Sequence, residues 1–287
     1  MNYRHAFHAG NFADVFKHAA FALIIEYLKR KPAPFAVVDT HAGLGRYDLA
    51  AQEAEKTGEW REGIGRVLES ASRPPGLEPL LKALAAANDG ETSRPRWYPG
   101  SPRIARTLLR ERDRLWCAEL HPDDARALAR EFRGDRQVVV RHMDGYEALR
   151  AWLPPPERRG IVLVDPPFEQ RDEFRYLLKG LKDGHRRFET GIFVLWYPIK
   201  DRAPVEAFHQ ALGHSGLKRI LVAELLLRPP DDPERLNGCG LIVINPPWRL
   251  DSDLALLVAG LRGVFKESGA STSRAGKPKP IRWLVGE

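Results

Sequence analysis

At 287 residues, 43% hydrophobic and 29% charged, the chain has the composition of an ordinary soluble globular protein, long enough for one enlarged domain or two small ones. A formal charge of +7 and a pI near 9.5 favour an acidic partner such as nucleic acid. No apolar stretch is long enough to cross a bilayer and residues 1–8 lack the apolar core of an export signal, so membrane insertion and secretion are disfavoured and a cytoplasmic protein is expected.

In chain order, Asn11 and Asp14 read as a helix start, and Phe16, Ala20, Leu23 and Tyr27 recur at helical spacing until Lys31-Pro32. That predicts one amphipathic helix ahead of the first strand. Short apolar runs rich in β-branched or aromatic residues follow at 35–39, 115–119, 137–141, 161–165 and 192–196, with helical or turn-like stretches between them. Such alternation predicts an α/β fold whose mainly parallel sheet is covered on both faces. Cys117 and Cys239 lie inside apolar runs and read as small buried hydrophobes, which suits a reducing compartment.

The stretch 48–97 contains no convincing strand. It carries helical patterns at 60–68 and 77–87, separated by Arg73-Pro74-Pro75-Gly76, and reads as a small helical insertion in a single domain spanning 1–287. Residues 218–227 and 240–245, joined by a Pro- and Asp-rich turn, predict an antiparallel hairpin at one edge of the sheet. Between 267 and 280 the composition turns to Ser, Gly, Thr, Lys and Pro, which predicts a mobile loop before the apolar residues 281–285.

Asp39-Thr40-His41-Ala42-Gly43-Leu44-Gly45 closes the first predicted strand, and its glycines allow a tight turn close to a ligand. Alone, this pattern is more often a structural turn than a ligand loop. Glu119 ends the next predicted strand, where a carboxylate can accept both hydroxyls of a ribose. The usual gap between two such features is roughly 20 residues; here it is longer, but removing the helical insertion restores something close to it. Asp144-Gly145 follows the third strand, where an acid can bond an adenine amino group and glycine leaves room for the ring. Together they suggest an S-adenosylmethionine site. A nicotinamide cofactor is the competitor, and the missing third glycine argues against it.

The run Ile161-Val162-Leu163-Val164-Asp165-Pro166-Pro167-Phe168 resembles the (Asp/Asn)-Pro-Pro-aromatic motif of amino methyltransferases. An adenine amino nitrogen is a poor nucleophile because its lone pair is delocalised into the ring. If the Asp165 carboxylate and the Pro166 carbonyl accept its two N–H bonds, the nitrogen becomes more pyramidal and free to attack a methyl carbon. The prolines fix the two acceptors, and Phe168 offers a face on which an extruded base can stack. Asn245-Pro246-Pro247-Trp248 matches by letter, but it ends the late hairpin rather than the strand after Asp144-Gly145, so Asn245 is read as structural, with Trp248 a minor candidate for lining the site.

With these residues assembled, the chain resembles the bacterial 23S ribosomal RNA adenine-N6 methyltransferases of the RlmJ type over nearly its whole length. The resemblance is carried by Tyr3-Arg4-His5, His8-Ala9-Gly10-Asn11, Lys17-His18, Asp39 to Gly43, Tyr98-Pro99-Gly100-Ser101-Pro102, Glu119-Leu120-His121-Pro122, Asp144-Gly145, Asp165 to Phe168, Leu195-Trp196-Tyr197-Pro198 and Asn245 to Trp248. It implies a class I, Rossmann-like methyltransferase fold. It also implies S-adenosylmethionine held by His18, His41, Ser101, Glu119, Asp144, Gly145 and Asp165, with Tyr3 meeting the RNA or target base and Lys17 at the site's mouth. Phe168 departs from the family's usual tyrosine: stacking survives, and a phenol hydrogen bond is lost.

His5, His8, His18 and His41 invite a metal reading, but no cysteine or carboxylate stands at ligand spacing and none is expected. Arg103, Arg106, Arg110, Arg112 and Arg114, and separately His185-Arg186-Arg187, are basic clusters suited to phosphates or to plain solvation. A target adenine must leave its stack, which is least costly in loops and mismatches, so free or partly assembled RNA is the expected substrate. The partner expected is 23S ribosomal RNA, with no stable protein partner and a monomeric chain. A DNA adenine methyltransferase and a catalytically silent RNA-binding factor are the alternatives.

Overall fold

The computed structural model describes residues 4–230, 232–265 and 279–286, so Tyr3 and all but the last two residues of the expected loop 267–280 lie outside the described residues. A 3-10 turn (His5–Phe7) leads into α1 (Phe12–Lys29), capped by the Asn11 side chain, which accepts from the Ala13 and Asp14 N–H groups at 3.0 Å. Then come β1 (Ala36–Asp39), β2 (Arg46–Asp48), α2 (Gln52–Thr57), a π turn (Arg61–Gly65), α3 (Arg66–Glu69), α4 (Glu78–Ala87), β3 (Trp97–Pro99) and α5 (Ser101–Leu108). The central part continues with β4 (Arg114–Glu119), α6 (Pro122–Glu131), β5 (Val138–His142), α7 (Gly145–Ala151), β6 (Gly160–Val164), α8 (Glu173–Arg187) and β7 (Ile192–Ile199). The chain closes with α9 (Arg202–Gly213), β8 (Ile220–Leu226), β9 (Gly238–Ile244), α10 (Leu250–Phe265) and β10 (Ile281–Val285).

Eight strands form one sheet in the order β10-β8-β9-β7-β6-β1-β4-β5. The pairs β5–β4, β4–β1, β1–β6 and β6–β7 are parallel, whereas β9 runs antiparallel between β7 and β8. Side chains alternate between faces: Ile161 and Leu163 of β6 join the core beneath α1, α5 and α10, while Val162 and Val164 join the core beneath α8 and α9. This is the class I, Rossmann-like arrangement.

Three details differ from the expectations. The hairpin is not the edge, because β10 adds antiparallel outside β8 through Ile281↔Ala223 and its neighbours. α1 is buried nearly all round rather than on one stripe, because α4, α5 and α10 cover the side turned away from the sheet. Within 46–99, β2 and β3 pair across Tyr47↔Tyr98; at three residues each, they are too short to show an alternating pattern. The helices between them dock on the leading segment, with Ile64 N–H bonded to Gly10 O at 2.8 Å and Asn11 Nδ2 to Glu59 Oε2 at 2.9 Å. Gly63 is required here, since a Cβ would fall 2.0 Å from Gly10 O.

Candidate active site

In an open parallel sheet, ligands bind beyond the carboxyl ends of the strands where the strand order reverses. That point is β1, flanked by β4 on one side and β6 on the other. Asp39 ends β1, Glu119 ends β4, Asp165 follows β6, and Asp144 caps α7 just after β5, so four acids line one rim of the sheet.

Each is held differently. Both oxygens of Glu119 accept a backbone N–H, Oε2 from Gly43 at 2.8 Å and Oε1 from His121 at 2.7 Å, while burial pushes its pKa up. Asp144 Oδ1 accepts from Tyr146 and Glu147 N–H at 2.9 Å, the usual bonds of an N-cap. Gly145 passes so close to the Gly-rich turn that a Cβ would lie 2.3 Å from Thr40 O and 2.7 Å from the His41 ring. His41 is fixed by Thr40 Oγ1 at 2.8 Å and stands edge-on to Tyr146, and desolvation drives its pKa down to about 4. The Tyr146 hydroxyl in turn donates to Glu173 at 2.7 Å.

Asp39 is fully buried. Its Oδ1 accepts from His41 N–H at 3.3 Å, and Oδ2 makes no hydrogen bond among the described residues. Burial drives its pKa up to about 7 against the pull of the Ser101 hydroxyl and the His41 N–H. A buried carboxylate oxygen without a close donor is costly.

Lys17 reaches this rim from α1. Its Nζ lies 2.5 Å from Asp165 Oδ2, 2.9 Å from Asp14 Oδ1 and 5.8 Å from the centre of the Trp196 ring. Lys17 is only 4% exposed, so the structure puts it inside the wall rather than at a mouth. Burial alone would push its pKa down, but the two carboxylates more than offset that and hold it well above the ordinary range. Asp14 is held well below its usual value despite burial, by His5 at 2.9 Å and by Lys17, and its Oδ2 also accepts from Gly10 N–H. Asp165 Oδ1 has no partner among the described residues.

Phe168 adopts a positive φ of 52° and packs edge-to-face on Phe174 at 5.0 Å and Trp196 at 5.8 Å, with part of its ring exposed. His18 is buried against the Tyr98 hydroxyl at 2.9 Å, and desolvation lowers its pKa to about 3. Thus Lys17, His41, Glu119, Asp144, Gly145 and Asp165 gather at the carboxyl rim with Ser101, while Tyr3 lies outside the described residues. Asp14, Asp39 and Trp196 were given no role by the sequence reading. Asp14 had one signal, its place one helical turn before Lys17.

The other features lie away from this rim or are held by partners within the chain. Asn245 stands at the opposite end of the sheet, where Ile244 pairs with Phe193 near the start of β7. Its amide donates to Glu189 O at 2.7 Å and Gly191 O at 2.9 Å, and the neighbouring Trp248 lies far from the carboxylate rim. Arg110 is committed to Asp113 and to the carbonyls of Lys29, Lys31 and Ala33, Arg103 to Glu131, and Arg106 to Asp135. Among the described residues, no group of three His, Cys, Asp or Glu could hold a metal ion, and no helix is long and apolar enough to cross a membrane.

A family model described as "Ribosomal RNA large subunit methyltransferase D, RlmJ" matches residues 32–275. Two curated relatives carry the name ribosomal RNA large subunit methyltransferase J. The Escherichia coli K12 protein is 41% identical over 287 residues, covering 100% of both chains. The Haemophilus influenzae protein is 42% identical over 272 residues, covering 95% of this chain and 96% of that one. A Legionella pneumophila protein of known crystal structure superposes with a TM-score of 0.82 at 35% identity, covering 90% of this chain and 94% of that chain.

Proposed function

Because this chain belongs to the family of ribosomal RNA large subunit methyltransferases described as RlmJ, we propose that it moves a methyl group from S-adenosylmethionine to the exocyclic N6 of one adenine in 23S ribosomal RNA. It acts in the cytoplasm as a monomer, on free or partly assembled RNA.

The carboxylate rim suits that cofactor. Asp39 offers a buried, unpartnered oxygen to a cationic donor, and Glu119 has lone pairs beyond its two backbone bonds for ribose hydroxyls. Asp144 and Gly145 flank the space for an adenine ring, with His18, His41 and Ser101 completing the wall. When bound, the cofactor would supply an electrophilic methyl group on a positively charged sulfur, and would leave as the neutral thioether when that methyl–sulfur bond breaks.

The chain's own residues do the rest. Lys17 occupies Asp165 Oδ2, so Oδ1 is the oxygen open to the target amine. Oδ1 and the Pro166 carbonyl accept the two amine N–H bonds and localise the nitrogen lone pair toward the methyl carbon. Asp14, Lys17 and Asp165 carry a net single negative charge, which favours the positive charge growing on nitrogen. Once the N–C bond has formed, the surplus amine proton passes to Asp165 Oδ1 and then to water. Phe168 stacks on the extruded base, and Tyr3 meets the RNA or the target base.

The observation that carries this reading is the Asp165 carboxylate, with one oxygen fixed by a buried ammonium and the other open. The test supplies labelled cofactor with 23S transcript, intact large subunits or duplex DNA, and maps the product by mass spectrometry. N6-methyladenine in the transcript alone is the expected result; labelling of DNA would refute it, and equal labelling of intact subunits would refute the preference for free RNA. Asp165→Ala should leave cofactor binding measurable while turnover falls by about 100-fold or more, and retained turnover would mean that another group does the work.

A further inference from the structure

Opposite the carboxylate rim, Asn245-Pro246-Pro247-Trp248 repeats the letters of the reactive turn at the end of the sheet away from Asp39, Glu119, Asp144 and Asp165, and the Asn245 Nδ2 donates to two carbonyls. What the turn does is hold an indole in water. Trp248 is 78% exposed, more than any other large hydrophobic side chain among the described residues. Its support is stiff: Asn245 N–H bonds Arg219 O at 3.1 Å, the Arg219 guanidinium reaches Pro246 O at 3.4 Å, and Leu250 N–H closes on Pro247 O at 3.1 Å. Arg219, Asn245 and Arg249 all hold positive φ, at 54°, 54° and 65°, which non-glycine residues adopt only where their surroundings impose it.

The surroundings of the indole are basic. Arg249 follows it directly, and Lys218 and Arg219 lie across the Asn245 bond. The segment that Asn245 grips follows Arg186 and Arg187 at the end of α8. Lys218 and Arg249 are exposed, and their side chains make no ion pair or hydrogen bond among the described residues. Glu189, Asp251 and Asp253 are the nearby acids, fewer than the five cations Arg186, Arg187, Lys218, Arg219 and Arg249. A single exposed ring ringed by cations offers little apolar area to a protein, whose specific interfaces bury roughly 1,200 Å² or more. It does match one unpaired base between two phosphates.

We propose that this face is a second contact for the RNA substrate, with Trp248 stacking on an unpaired base while Lys218, Arg219 and Arg249 meet the phosphates beside it. The inference rests on the reading that the substrate is RNA. The two sites lie at opposite ends of β7, whose eight residues span roughly 26 Å, so only a long RNA can engage both.

The test uses the full chain with two labelled probes, a 23S transcript and an oligonucleotide short enough to fill only the Asp165 end. Binding is followed by anisotropy across a salt series, and methyl transfer is measured in parallel. Trp248→Ala should weaken transcript binding by about 5- to 10-fold, with Trp248→Phe recovering most of the loss. Replacing Lys218 and Arg249 by glutamine should flatten the slope of log affinity against log salt by about 1 to 2. Binding and turnover of the short probe should not change. Unchanged transcript binding in Trp248→Ala would overturn the proposal, as would a wild-type dimer that this substitution dissolves. If the wild type methylates neither RNA, the proposed function fails, while transcript binding still decides the role of Trp248.

Discussion

Lys17 is cut off from water with Asp14 on one side and Asp165 on the other, so its charge is balanced by two carboxylates rather than by solvent. Removing the cation strands both anions. Lys17→Met should therefore cost about 3–5 kcal/mol in denaturant unfolding, and Lys17→Met with Asp14→Asn should recover part of it; an unperturbed single variant would contradict this account of the trio. Asp39 presents the opposite case, since its burial costs stability for the sake of a ligand. Its pKa is raised from 3.8 to about 7, so the folded chain keeps a proton that the unfolded chain gives up, and stability falls as pH rises between those values. Above pH 7 the buried charge is paid in full, and Asp39→Asn should raise stability by a few kcal/mol at about pH 8, less as the pH falls, while weakening cofactor binding. Calorimetric melting and cofactor titration at two pH values check both halves. Glu119, Asp144 and Asp165 were legible in the sequence because each closes or follows an apolar run and is followed by a turn residue. Lys17 was reached only through the family resemblance and Asp14 only as part of a helix start, because a charged pair one turn apart on a helix looks solvent-facing until the helices that bury it are known.

Among elements, β10 is joined to the body by a buried charge network as well as by its ladder. Glu224 on β8 accepts from the Tyr197 hydroxyl of β7 at 2.9 Å, from both terminal nitrogens of Arg202 on α9 at 2.9 and 2.8 Å, and from Arg282 of β10 at 3.2 Å. His209 completes it, bonding Tyr197 at 3.0 Å and accepting from Arg282 at 3.0 Å. Glu224→Ala leaves the guanidiniums of Arg202 and Arg282 with only the exposed Glu206, 3.9 Å from Arg202, as a nearby anion. The expected result is a loss of about 3–5 kcal/mol, with amide exchange rising in β10 before β1; uniform exchange would show that the network does not pin the edge. This edge was hard to read from sequence, because five apolar residues after a polar stretch identify a strand but not its neighbour. The parallel strands were easier, since burial on both faces makes them continuous apolar runs.

At the scale of the whole molecule, buried histidines set the acid limb of stability. His18 and His209 are lowered by burial from 6.5 to about 3 and about 4, so the folded chain leaves them neutral where the unfolded chain would take up protons. Their contribution is complete above the unfolded value and is lost as pH falls toward the folded ones. His41, lowered by burial to about 4, acts with them and Asp39 opposes the three with one proton, so net stability should climb by roughly 2.7 kcal/mol per pH unit between about pH 4 and 6.5 and level off near 7. A melting temperature that falls across that interval would contradict the balance.

α1, made first, packs on α5, β6, β9 and α10, and the leading segment ahead of it is held by residues 59–64. A chain still emerging from the ribosome therefore has no wall for Lys17 to enter until residue 165 has appeared, and no cover for the first helix until α10 follows. Contacts that join the two ends of a polypeptide form late and slowly. Synthesis must be nearly over before the first helix finds its place, and amino-terminal fragments released early would present that apolar helix to the chaperones rather than to RNA.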